Sequence, residues 1–93
     1  MGMEYKLGFS FFDEAAVAAV LRRLSMVREV RRTNLDFEFC AAETTGCMPD
    51  ASAHVEHYGL YFCDHGGLGR QFLGVVVACL VSAFGPITVA DLE

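Results

Sequence analysis

This chain is poor in positive charge, with seven Lys and Arg against twelve Asp and Glu in 93 residues and a formal net charge of -5. That deficit argues against nucleic acid as a partner, because binding a phosphate backbone draws on clustered cationic side chains. The chain also has no CxxC pair and no HExxH helix, the spacings that gather zinc ligands in small domains and hydrolases. No metal and no cofactor are therefore expected. Nor is there an apolar run of the ~20 residues that a bilayer requires: the strongly apolar stretch from Phe72 to Phe84 is too short. It reads as a buried core helix, and no membrane partner is expected.

No secretory signal is legible, because the apolar run Leu7 to Phe12 is short and is followed at once by Asp13 and Glu14. Lys6 stands where a myristoylation signal needs Ser or Thr. The expected location is cytoplasmic, where Cys40, Cys47, Cys63 and Cys79 are reduced thiols and not a disulfide framework. Length allows one domain, taken as 1–91, with Leu92 and Glu93 read as vector-derived. An apolar fraction of 54% is enough for one core.

What is present is strong patterning. Glu4 to Phe12 alternates with Tyr5, Leu7, Phe9 and Phe11 on one side, as a half-buried strand does. Asp13 is a good N-cap for a helix over Glu14 to Leu24, with Val17, Val20, Leu21 and Leu24 at helical spacing. Met26 to Arg32 and Leu35 to Ala41 read as a hairpin turning at Thr33-Asn34, with Arg31 opposite Asp36. That register puts Val30, Leu35, Phe37 and Phe39 on the core face, and leaves Arg28 on the apolar side at a sheet edge. The stretch from Glu43 to Ala53 has no periodicity and reads as a loop. His54 to Asp64 is a further strand, with Tyr58, Leu60 and Phe62 inward and His57, Tyr61 and Cys63 outward. A second helix runs from about Leu68 to Phe84, stopped by Gly85-Pro86, and Ile87 to Ala90 is a last short strand.

These elements predict an α+β two-layer sandwich, βαβββαβ, with a mainly antiparallel five-stranded sheet and two helices on one face. The element order resembles a ferredoxin-like plan enlarged by one strand. Gly74, Ala78 and Ser82 on the second helix and Ala15 and Ala19 on the first suggest close packing of the two backbones. The second helix is apolar nearly all round, which leaves two alternatives, full burial within the chain or a homodimer contact through this helix.

Charge is unevenly placed: Met1 to Thr33 carries +2 and Asn34 to Glu93 carries -7. Arg22, Arg23, Arg28, Arg31 and Arg32 form the basic cluster, read as a solvated helix face and edge strand. The outer sheet face is expected to gather Asp36, Glu38 and Cys40 from one strand with His57, Tyr61, Cys63 and His65 from another. A carboxylate beside His57 is the minimum for acid–base chemistry. The glycines of Asp64 to Arg70 precede a helix, where exposed N–H groups and Arg70 can attract an anion, although Asp64 opposes it. The aromatic rings fall mostly on inward positions, so there is no stacking platform for RNA.

The candidate ligand or partner residues are therefore Asp36, Glu38, His57, Tyr61, His65 and Arg70, with no catalytic residue assigned. The leading reading is a non-enzymatic protein-interaction module presenting its acidic outer face or the Glu43 to Ala53 loop. The competing reading is a small-ligand-binding domain or minor enzyme using His57, Tyr61 and the Asp64 to Arg70 turn.

Overall fold

In the computed structural model, which describes residues 3–24, 27–29, 35–39 and 49–92, alternation and helical spacing resolve into two layers. The elements are β1 (Met3–Gly8), α1 (Glu14–Arg22), β2 (Val27–Glu29), β3 (Asp36–Phe39), β4 (Ala51–Glu56), β5 (Gly59–Asp64), α2 (Gly69–Phe84) and β6 (Thr88–Asp91). Every paired neighbour is antiparallel. Among the described residues the sheet has the order β2-β3-β4-β5-β1-β6. The expected antiparallel α+β sandwich is present. Its sheet has six strands, not five, because the single strand expected over His54 to Asp64 is a hairpin. Val55 pairs with Leu60 and Glu56 with Gly59, leaving His57 and Tyr58 as a two-residue turn.

Both helices lie on the face where strand side chains are apolar. Across the sheet, Tyr5, Phe62, Ala53 and Phe37 fall in one row and Leu7, Leu60 and Val55 in the next. Val17, Ala18, Val20 and Leu21 of α1 and Phe72, Val76 and Leu80 of α2 close over them. Phe39 anchors the core, with its ring centroid 5.5 Å from that of Phe62 and 6.3 Å from that of Phe72. Asp13 caps α1 as expected: the Ala16 N–H donates to Asp13 Oδ1 at 2.8 Å, satisfying one of the orphan donors of the first turn.

Three expectations are corrected. The first concerns the β2–β3 register, which pairs Val27 with Phe39, Arg28 with Glu38 and Glu29 with Phe37, one residue away from the expected pairing. In a sheet a single-residue slip exchanges the faces, so Phe37 stands opposite Glu29 instead of Val30, and Arg28 takes a register position opposite a carboxylate. Arg31, Arg32, Thr33, Asn34, Cys40 and Cys47 lie outside the described residues. Second, the expected loop over Glu43 to Ala53 ends earlier, since β4 begins at Ala51; positions 43–48 lie outside the described residues.

The third correction concerns the helices. Gly74, Ala78 and Ser82 are exposed on α2, as are Ala15 and Ala19 on α1. The buried arc of α2 centres instead on Phe72, Val76 and Leu80, where larger side chains remove more apolar area from water. Among the described residues no helix is long and apolar enough to cross a membrane.

Candidate functional site on the open sheet face

The face opposite the helices carries the alternate residues of the same strands. One cross-sheet row runs Lys6, Tyr61, His54 and Asp36, and the next runs Glu4, Cys63, Ser52 and Glu38. No described element covers these rows. Strand alternation is the cause: each residue between two core residues must project to the other side.

At the centre of this face His54 is held between two carboxylates. Its Nδ1 contacts Asp36 Oδ1, and its Nε2 lies 3.6 Å from Glu56 Oε2. Both ring nitrogens are thus directed at the protein's own acids. Asp36, Glu38, Ser52, His54 and Tyr61 border a shallow hollow of about 290 Å³ whose floor includes Phe37 and Ala53. A second hollow of about 350 Å³ is bordered by Lys6, Gly8, Tyr58, Thr88 and Ala90. There the Lys6 ammonium stands 4.7 Å from the centroid of the Tyr58 ring, a cation–π distance.

Two groups of the face, the Tyr61 phenol and the Cys63 thiol, are biased toward their protonated forms. Burial, followed by a hydrogen bond to Glu4 and the charge of that carboxylate, pushes the Tyr61 phenol up to about 12. Burial, with the charges of Glu4 and Asp64, raises the Cys63 thiol above its ordinary value. A reactive cysteine needs the opposite environment, one that favours thiolate. His65 lies beside Cys63, with Nδ1 3.7 Å from the sulfur, and its Nε2 is 2.9 Å from Ser52 Oγ. Cys63 and Cys79 are free thiols. Among the described residues no group of three His, Cys, Asp or Glu side chains is placed to hold a metal ion.

Of the expected site residues, the structure brings together Asp36, Glu38 and Tyr61 through β3, β4 and β5, with His65 at the margin through Ser52. His57 is in the hairpin turn, exposed, and edge-on to Tyr58 with centroids 5.3 Å apart; the place beside a carboxylate belongs to His54. Tyr58, expected inward, lines the second hollow instead, because the turn breaks the alternation of the chain. Arg70 is in the first turn of α2, in the helix layer, and is exposed.

The glycine-rich turn is closed by the protein's own carboxylates. Gly66 N–H donates to Asp64 Oδ1 at 2.9 Å and Leu68 N–H donates to Asp50 Oδ2 at 3.2 Å. Two negative charges thus occupy the amide-lined position that an anion would take. His54, Ser52 and Glu56 were the residues that sequence reading left out of the face. The signal for them was the alternation of Ala51, Ala53 and Val55 with Ser52, His54 and Glu56, which changes phase at His57-Tyr58-Gly59. Comparison with protein-family models, curated proteins and solved structures finds no match for this chain.

Proposed function

We propose that this chain is a non-enzymatic protein-interaction module whose partner docks on the open outer face of the sheet. One observation carries the reading: among the described residues nothing covers the outer sheet face, and its polar groups are paired with one another instead of converging on an enclosed cavity. A catalytic or small-ligand site gathers its polar groups in a concave pocket that buries most of its ligand. The hollows here are shallow, His54 has a carboxylate at each ring nitrogen, and Tyr61 and Cys63 are biased toward their protonated forms. Such a face presents fixed hydrogen-bonding and charge patterns, which suit recognition of a surface.

Glu4, Asp36, Glu38 and Glu56 outnumber Lys6 and Arg28 at the described positions of the face, so the partner is a protein and not a nucleic acid. The reading assigns a cytoplasmic location, where Cys63 and Cys79 stay reduced. The competing small-ligand reading loses its anion site to Asp50 and Asp64.

The test is capture of partners from the source cell on immobilised wild-type chain beside Glu38→Lys and Tyr61→Ala variants that retain wild-type circular dichroism. A protein retained by the wild type and lost at least tenfold with both variants supports the reading. Equal retention by all three chains overturns it.

A further inference from the structure

A second surface, independent of the outer face, lies where β6 meets the flank of α2. β6 ends the sheet, with β1 on one side and no other described strand beyond it. The Leu92 N–H donates to the Glu4 carbonyl at 2.8 Å, and this fixes the phase of the ladder. In an antiparallel pair, bonded and non-bonded positions alternate. Thr88, Ala90 and Leu92 therefore turn their backbone groups toward β1, while Val89, opposite Leu7, turns its N–H and C=O to the free edge. An edge of this kind is a template for another strand unless lysine, proline or a bulge blunts it. Thr88, Val89 and Ala90 carry none of these, and Asp91, at the end of the strand, is its one charged residue.

The neighbouring flank of α2 adds an apolar shelf. Cys79, Ser82 and Ala83 border a cleft with Val20 and Arg23 of α1, which marks the α1 side of the helix. With 3.6 residues per turn, Val77 and Val81 fall on the opposite flank, the side on which Phe84 stacks against Phe9 at 5.3 Å. Val81 remains 44% exposed and Val89 48% exposed. From Gln71 to Ala90 the sequence has no charged residue at all.

We propose that this surface is a homodimer interface in which β6 pairs antiparallel with β6 of a second copy, joining the two sheets edge to edge. The same operation brings the shelves of Val77, Val81 and Val89 together. A second copy is the occupant that fits because antiparallel pairing of a strand with itself is two-fold symmetric, and a two-fold interface needs a self-complementary patch. Val89 can then exchange N–H and C=O bonds with its own counterpart. Charge is compatible with the same occupant: with Val89 opposite its own counterpart, Asp91, the one charged residue of β6, falls opposite Ile87 of the second copy and not opposite its own copy. The paired strands thus avoid the like-charge repulsion that the acidic outer face would impose in a chain of net charge -5.

The size of the patch sets the strength. Four strand residues span about 13 Å and a 16-residue helix about 24 Å. A strip of this length covers on the order of 500 Å² per partner, below the ~800 Å² of a standard interface. The dimer is therefore weak and concentration-dependent, with dissociation in the micromolar range or above it.

Sedimentation velocity over a wide concentration range tests the proposal with Val89→Pro, Val81→Lys and Glu38→Lys. Proline at position 89 removes an N–H that points away from β1, so the intrachain ladder keeps its bonds while the edge loses its donor. The expected result is a reversible wild-type dimer, weakened at least tenfold by Val89→Pro and by Val81→Lys and unchanged by Glu38→Lys. Hydrogen exchange at the Val89 amide of the wild type should slow as concentration rises. If Val89→Pro does not fold, Val81→Lys and the amide-exchange measurement decide. A wild-type chain that stays monomeric up to about millimolar concentration overturns the proposal. So does a dimer that survives Val81→Lys with the Val89 amide unprotected, which would place the contact elsewhere.

Discussion

The carboxylate of Asp50 accepts a hydrogen bond from the backbone N–H of Leu68 at 3.2 Å, so the residue before β4 closes the N-terminus of α2. Leu68 offers no side-chain cap of its own, and the Asp50 carbonyl also accepts from the His65 N–H at 2.9 Å. One residue thereby satisfies donors on both sides of the glycine-rich turn and brings negative charge to the positive end of a helix dipole. Asp50→Ala should lower stability by about 1 kcal/mol, and Asp50→Asn, which keeps an acceptor and loses the charge, by less. Urea unfolding of the two variants beside wild type checks the order; a neutral Asp50→Ala would refute the capping role.

Gly69 is buried where α2 begins, and a Cβ there would stand 2.6 Å from the Asp50 carbonyl oxygen and collide with the Asp64 carboxylate. Gly59 has φ near +144°, and its Cβ would strike the Leu7 carbonyl oxygen and the Phe9 ring. One residue is glycine for space alone and the other for space and conformation. Gly69→Ala and Gly59→Ala should each cost roughly 1–3 kcal/mol, whereas Gly74→Ala, which meets nothing within 4 Å on an exposed helix turn, should stabilise by up to about 1 kcal/mol. Thermal melts of the three variants give the comparison.

The fold was legible wherever a period ran without interruption. Asp13 as a cap, Val17, Val20 and Leu21 as the buried stripe of α1, and Leu60 and Phe62 as core positions follow directly from spacing. The hairpin in β4–β5 was hidden because His57-Tyr58 is not a strong turn pair, and Tyr58, Leu60 and Phe62 keep an even-numbered alternation that masks the turn. Yet Ala51, Ala53 and Val55 are odd-numbered core residues, so the phase changes at the turn, and His54 reaches the outer face where His57 was expected. The α2 surface failed for another reason: small residues at every fourth position can mark close packing or simply an exposed side, and only the neighbours decide which. Asp50 was illegible as a cap because its partner is 18 residues away.

Phe39 is fully buried and its ring touches those of Phe62 and Phe72. Phe12, three positions beyond Phe9 in the same aromatic run of sequence, is 94% exposed. Phe39→Ala should therefore cost about 3–5 kcal/mol, the transfer term plus the cavity left between strand and helix. For a domain of this size that is a large share of total stability. Phe12→Ala should stay within about 0.5 kcal/mol. Denaturation midpoints of the two variants, measured side by side, separate core from surface for residues of identical type.

Tyr61 supplies a prediction with a definite pH window. Its phenol is raised from 10.0 to about 12, first by burial and then by Glu4, so the folded state holds the proton more tightly than the unfolded chain does. A raised value contributes stability that is complete below pH 10, the unfolded value, and is lost as pH climbs through about 12. Cys63 acts in the same direction above its ordinary 9.0, so stability should begin to fall at the alkaline side of neutrality and fall further through the Tyr61 window. Spectrophotometric titration should show a late phenol step that Tyr61→Phe removes. In Glu4→Gln, loss of the carboxylate charge should move that step down while leaving it above 10, because burial, the larger cause, remains. A Tyr61 step unchanged by Glu4→Gln would show that the carboxylate across the β1–β5 ladder does not reach the phenol.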